Sequence, residues 1–96
     1  MDVRIGYFIW DINKELTNLH KHSINFTEAI EAFRDEKRKI FVDLKHSVYE
    51  ERFYCLGKVD GKVLTVRFTY HRYSIRIIGA GYWRKWRKYY YEKESN

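Results

Sequence analysis

The chain has no proline, one cysteine, one methionine and five glycines among its 96 residues. Without proline it lacks the usual marker of a rigid linker, and with Cys55 as its only thiol it cannot form an internal disulfide. No apolar run approaches the roughly 20 residues that cross a bilayer. The first 15 residues contain acids and lack the apolar stretch of a secretion signal, so a cytoplasmic location is expected. Net charge is also missing from most of the chain: residues 1–66 hold 11 Lys+Arg and 11 Asp+Glu.

What is present is concentrated at the other end. Residues 67–96 carry 8 Lys+Arg against Glu92 and Glu94 alone, which supplies the whole net charge of +6, and half of the 18 aromatics lie there too. Cations interleaved with flat rings suit a polyanion that also offers faces to stack on, which describes RNA or single-stranded DNA better than a membrane or a small acid. A solvated basic helix beside a tyrosine-rich core edge is the alternative reading. With 45% hydrophobic and 33% charged residues the chain is globular, and its length makes residues 1–96 one domain.

Local patterns outline the elements. Val3 to Trp10 is β-branched and aromatic and reads as a strand. Asp11 has the character of an N-cap for a helix of about 11 residues, with Ile12, Leu16 and Leu19 on one stripe and His22 near its C-terminal end. Asn25 and Glu28 resemble a capping box, and Phe26, Ala29, Ile30 and Phe33 take the positions of a second amphipathic helix. A polar turn at Asp35 to Lys39 leads to a short strand, Ile40-Phe41-Val42. Asp60-Gly61 is the strongest hairpin signal and predicts that Val59 pairs with Lys62, Cys55 with Val66 and Phe53 with Phe68. A second turn near His71-Arg72 would pair Phe68 with Ile75 and Arg67 with Arg76.

These registers put Phe53, Cys55, Leu64, Val66, Phe68, Ile75 and Ile77 on one face, suited to burial under the two helices. The other face carries Arg52, Tyr54, Arg67, Thr69, Ser74 and Arg76. Arginines opposed across strands repel, and either a bound anion or a carboxylate such as Glu50 or Asp43 can relieve them. After Gly79-Ala80-Gly81, Trp83, Trp86 and Tyr90 form a helical stripe that packs first and stacks on bases second, while Arg84, Arg87 and Lys88 face away.

An ordered set of residues then carries a family resemblance. Trp10-Asp11, Lys14, Asn18, Lys21-His22, Ile24, Phe26, Glu28-Ala29 and Phe33 open it. Asp43, His46-Ser47, Glu50-Glu51-Arg52, Gly57, Thr69, Arg76-Ile77-Ile78 and Ala80 continue it. Together they resemble the BrnT-type ribonuclease toxins of bacterial toxin-antitoxin pairs. The resemblance implies a RelE-like α+β fold, with two N-terminal helices on one face of an antiparallel sheet and a C-terminal helix. It also implies RNA cleavage that slows translation, a BrnA-like ribbon-helix-helix antitoxin as partner, and contact with operator DNA only through that antitoxin. Two departures from the family pattern matter. Typical members end the motif Arg-Ile-Ile-Ser-Ala-Arg where this chain has Gly81, and have Thr-x-Arg where it has Thr69-Tyr70-His71. Arg84 is the natural substitute for the missing arginine, and the departure leaves open a catalytically weak module that binds RNA or antitoxin and acts as a co-repressor.

Cleavage without a metal or other cofactor needs a base for the 2'-hydroxyl, cations for the phosphorane and an acid for the leaving oxygen. Arg52, Arg67 and Arg76 suit the phosphorane, because guanidinium forks match phosphate oxygens. His46 and His71 are the acid-base candidates, each with a solvent-exposed loop histidine as its alternative. Arg84, Arg87, Lys88 and Tyr54 are the expected RNA contacts. His20 and His22 do not make a metal-site spacing, and Cys55 belongs to the core.

Overall fold

The computed structural model describes residues 1–92. Glu94, counted above in the charge of residues 67–96, lies with the rest of residues 93–96 outside the described residues.

The first apolar run is two strands rather than one. β1 (Asp2–Ile5) and β2 (Phe8–Asp11) fold back on each other across Gly6-Tyr7. Gly6 adopts a φ of +59°, which its β-branched and aromatic neighbours resist, so the one glycine of the run sets the turn. α1 (Ile12–His22) starts where Asp11 accepts the Asn13 N–H at 2.7 Å and ends at Ser23 in the left-handed region. α2 (Phe26–Ile30) is capped by Asn25, which accepts the Glu28 N–H at 2.7 Å, and it continues as a 3-10 turn over Glu31–Arg34. β3 (Lys39–Val42), β4 (Arg52–Val59), β5 (Lys62–His71), β6 (Ser74–Gly81) and α3 (Arg84–Tyr91) complete the described chain.

The six strands form one sheet in the order β1-β2-β6-β5-β4-β3. All neighbours are antiparallel except β2 and β6, which run parallel through Phe8–Ile75 and Ile9–Arg76. The sheet is therefore mixed, which corrects the antiparallel expectation. The segment from α1 to β5 forms the long crossover that a parallel pair requires.

The Asp60-Gly61 hairpin has the predicted register, with positive φ at both central residues as a type I' turn demands. The next hairpin does not. Its tip is Arg72-Tyr73, with Arg72 at φ +57°, so His71 faces Ser74, Thr69 faces Arg76 and Phe68 faces Ile77. A bulge follows, and Arg67 then opposes Gly79 rather than Arg76. The shift from the expected register is two residues between the tip and the bulge, which preserves facing there, so Ile75 and Ile77 still point to the core, and three residues beyond the bulge.

Core packing occupies one face. Cys55, Leu64, Val66, Phe68 and Ile77 bury against Phe26, Ala29, Ile30 and Ala32, with Trp10 closing the end. A Cβ at Gly57 would run into the Ala32 carbonyl, so glycine there lets the 3-10 turn lie directly on β4. On the opposite face α3 covers one end, where Tyr90 packs with Leu56 and Val63 and donates its hydroxyl hydrogen bond to Asp35.

α1 is seated differently from its apolar pattern. Leu16 and Leu19 are 55% and 38% exposed, whereas Asn18 is buried at 6%. The reason lies in β6, whose outer edge is paired by β2 only at Ile75 and Arg76. Beyond that point the Asn18 amide stands in for a strand. It donates to the Ala80 carbonyl and accepts from the Ala80 N–H, each at 3.0 Å, and also donates to the Ile24 carbonyl at 3.0 Å.

Removing that amide strands buried backbone groups. Asn18→Ala and Asn18→Leu are both expected to cost on the order of 2–4 kcal/mol in urea denaturation, while Leu16→Ser on the same helix should stay within about 0.5 kcal/mol. The opposite order would show that α1 is held by its leucines.

Candidate functional site

The open face of the sheet is built in rows. Tyr54, Arg67 and Gly79 lie side by side on β4, β5 and β6, and Arg52, Thr69 and Arg76 form the next row. The three expected arginines thus share a face, but they occupy two rows and have different electrostatic situations.

Arg76 is paired: its Nη2 lies 2.9 Å from Asp2 Oδ2, and the hydrogen bond it donates to Asp2 raises its already high pKa. Arg52 approaches Glu50 at 3.5 Å. Among the described residues Arg67 has no ion pair, and its Nε is shielded from solvent with no hydrogen-bond partner. The relief of repulsion expected at Arg76 therefore comes from Asp2, and the uncompensated cation is Arg67. Its guanidinium lies over Gly79, where a Cβ would come within 3.2 Å of Nη2. The β6 bulge turns Gly79 to this face, and the missing side chain leaves the guanidinium its room.

Arg67 forms the floor of two adjoining depressions. On one side, in about 330 Å³, it meets Lys14, Thr17, Lys21 and His22 of α1, the helix that Asn18 fixes beside β6. On the other, in about 300 Å³, it meets His46, Tyr54, Trp83, Lys85 and Trp86. A cationic groove thus runs across the sheet between α1 and α3.

His46 is oriented within this groove. It closes a short 3-10 turn (Leu44–His46), and its Nδ1 lies 2.7 Å from Asp43 Oδ2. Asp43 is 6% exposed. Burial pushes its carboxyl up, but hydrogen bonds from His46 and Tyr54 outweigh burial and hold it below its ordinary 3.8. With Nδ1 engaged by the carboxylate, Nε2 is the nitrogen left for a substrate. Burial, then the charge of Asp43 and the hydrogen bond to it, raise the Tyr54 phenol, against the charge of Arg67. That phenol stays protonated near neutrality.

The remaining expected residues lie elsewhere. His71 is exposed at the end of β5, four residues or about 13 Å of strand from Arg67. Arg84 and Arg87 line a separate depression of about 480 Å³ with Lys62 and Tyr82 near the Asp60-Gly61 hairpin. Lys88 lies 5.1 Å from the centre of the Tyr89 ring. Lys85 shares a depression with Arg67, whereas Arg84, the residue offered for the missing family arginine, lines the separate one. Trp83 is the residue before the helix. Its ring fills the space beside Gly81, where a Cβ would lie 2.7 Å from it, and meets His22 edge-on at 5.1 Å.

Reasoning from sequence missed Lys85, Lys14 and Lys21 as groove residues and treated Asp43 only as a possible counter-ion. The three-residue spacing of Asp43 and His46 was the available signal for that pair. Among the described residues no group of His, Cys, Asp and Glu could hold a metal ion, and no helix is long and apolar enough to cross a membrane.

A comparison with curated proteins finds none similar to the chain. The model of the family described as "Ribonuclease toxin, BrnT, of type II toxin-antitoxin system" matches residues 10–86, a stretch that contains both walls and the floor of the Arg67 groove. The chain therefore belongs to the BrnT family of ribonuclease toxins, whose type II systems pair each toxin with an antitoxin.

Proposed function

We propose that the chain is an endoribonuclease that cleaves RNA without a metal, and that the Arg67 groove is its active site. The observation that carries this reading is an uncompensated, half-buried guanidinium beside a histidine already oriented by a buried carboxylate. His46 Nε2 takes the proton of a 2'-hydroxyl, and the 2'-oxygen attacks the adjacent phosphorus. Arg67 and Lys85 stabilise the phosphorane as the P–O5' bond breaks. The leaving oxygen takes a proton from the Tyr54 phenol or the Lys85 ammonium, giving a 2',3'-cyclic phosphate and a 5'-hydroxyl. Arg52, Arg76 and His71 lie farther along the same face and guide the strand, with phosphates replacing the exposed carboxylates of Glu50 and Asp2. Arg84, Arg87 and Lys88 extend the basic surface.

RNA cleavage in the cytoplasm would inhibit translation. A BrnA-like ribbon-helix-helix antitoxin would silence the toxin and carry the pair to operator DNA. The helices packed on a sheet whose other face is open and cationic support a RelE-like relationship. Gly81, with Trp83 occupying the space beside it, favours a second reading, in which cleavage is weak and the chain acts as an RNA- or antitoxin-binding module and co-repressor. Induction of the lone chain in bacteria separates the two: growth arrest supports the nuclease, and normal growth with RNA binding retained supports the module.

Arg67→Gln should fold normally, since it strands no carboxylate, and should lower cleavage about 100-fold or more. His46→Ala should be similarly inactive and His71→Ala largely active. Full cleavage by the His46 variant with loss in the His71 variant would move the base to the other end of the face.

Asp43 predicts a pH signature. Its depressed folded pKa contributes stability that is present above the ordinary carboxylate value and lost as pH falls through the folded value. Denaturation midpoints of the parent and Asp43→Asn should therefore differ near neutrality and converge in acid. A gap that persists unchanged in acid would deny the carboxylate this role.

RNA affinity should fall with salt at a log-log slope of roughly 0.7 per phosphate neutralised. Replacing Arg84, Arg87 and Lys88 together should flatten the slope without unfolding the chain. An affinity insensitive to salt would rule out phosphate-led binding.

A further inference from the structure

Next to the groove lies another depression, of about 460 Å³, between β3 and α3, whose aromatic walls the proposed chemistry does not use. Phe41, Trp86 and Tyr89 wall it, and it shares His46, Tyr54 and Lys85 with the groove. The Trp86 ring stands 4.6 Å from Tyr54 and 5.8 Å from Tyr89, and Phe41 meets Tyr89 at 6.2 Å. Lys45 and the Asp43 carboxylate add polar groups to this lining.

We infer that this depression is a nucleobase subsite, in which the base next to the scissile phosphate stacks on Phe41, Trp86 and Tyr89. The inference rests on the ribonuclease reading and adds to it the place where RNA sequence is sensed. Continuity with the groove carries it: a base seated here leaves its own phosphate next to Lys85 and within the span leading to Arg67. The chemistry agrees. A base presents a π-face to the rings and a hydrogen-bonding edge to the exposed Lys45 ammonium, and its attached phosphate matches the cations of the adjoining groove, which an apolar peptide side chain would leave unused. The volume falls in the range of small-ligand pockets, roughly 300–1,000 Å³.

The test is an NMR titration of the full chain with the four 2'-deoxynucleoside 3'-monophosphates, which lack the attacking hydroxyl, against ribose 5-phosphate and inorganic phosphate. The nucleotides should bind tighter than either base-free probe and shift the Phe41, Trp86 and Tyr89 ring signals. Phe41 sits on a half-exposed edge strand, and Phe41→Ala should weaken nucleotide binding about tenfold while leaving inorganic phosphate binding unchanged. Phe41→Trp should restore nucleotide binding, which separates lost stacking from lost folding. Nucleotides that bind no tighter than ribose 5-phosphate would overturn the subsite, as would ring signals that respond to a bound antitoxin and not to nucleotides. If nucleotides bind here but the parent cleaves no RNA, the subsite stands and the nuclease reading fails.

Discussion

The free outer edge of β6 is the constraint on which the rest of the open face depends. β2 is too short to pair it beyond Arg76, and an unpaired buried N–H and C=O at Ala80 would be costly. One asparagine on α1 meets both groups. That contact fixes the helix by a polar clamp rather than an apolar stripe, and it brings Lys14 and Lys21 alongside Arg67. The bulge between Phe68 and Arg67 acts on the same strand. It turns Gly79 to the open face, where the absence of a side chain accommodates the guanidinium.

On the other side, the groove is held by a chain of carboxylate contacts. Asp35 receives the Tyr90 hydroxyl together with the backbone N–H groups of Lys37 and Lys58, so it ties α3 to β4. The Lys39 ammonium donates to the carbonyls of Tyr89 and Glu92, which holds the last turn of α3 beside β3. These contacts set Lys85 and Trp86 opposite α1. Asp43, placed by β3 and the turn that follows it, then orients His46 into the space between. Of the three arginines on the open face, Arg67 is left without a protein anion among the described residues, the arrangement that a phosphate completes.

Features encoded by neighbouring residues were legible in the sequence. Asp11 and Asn25 cap helices through side-chain oxygens that need only the next turn, and Asp60-Gly61 supplies both positive φ values of its hairpin. Features set by distant partners were not. Gly6 supplies the positive φ of the β1–β2 turn, but it lies in a run whose neighbours all favour strand, so the two strands read as one. The tip at Arg72-Tyr73 carries no glycine to mark it, and Ile75 and Ile77 face the core in the expected register as well as in the observed one, so alternation could not tell the two apart. Leu16 and Leu19 made a plausible buried stripe, yet the inward residue is the polar Asn18, whose partner is 62 residues away. The cationic face itself was readable from alternation. Which of Arg52, Arg67 and Arg76 lacks a counter-ion was not, because Asp2 reaches Arg76 across 74 residues of sequence.

The central claim is that the scissile phosphate sits on Arg67 beside His46. A structure of the chain bound to an RNA oligonucleotide made uncleavable by a single 2'-deoxy substitution tests it most directly. The account predicts that the phosphate following the substituted sugar contacts the Arg67 guanidinium, with His46 Nε2 facing that sugar's 2' position. A phosphate seated instead between Arg84 and Arg87, or on Arg52 and Arg76 with Arg67 untouched, would contradict it.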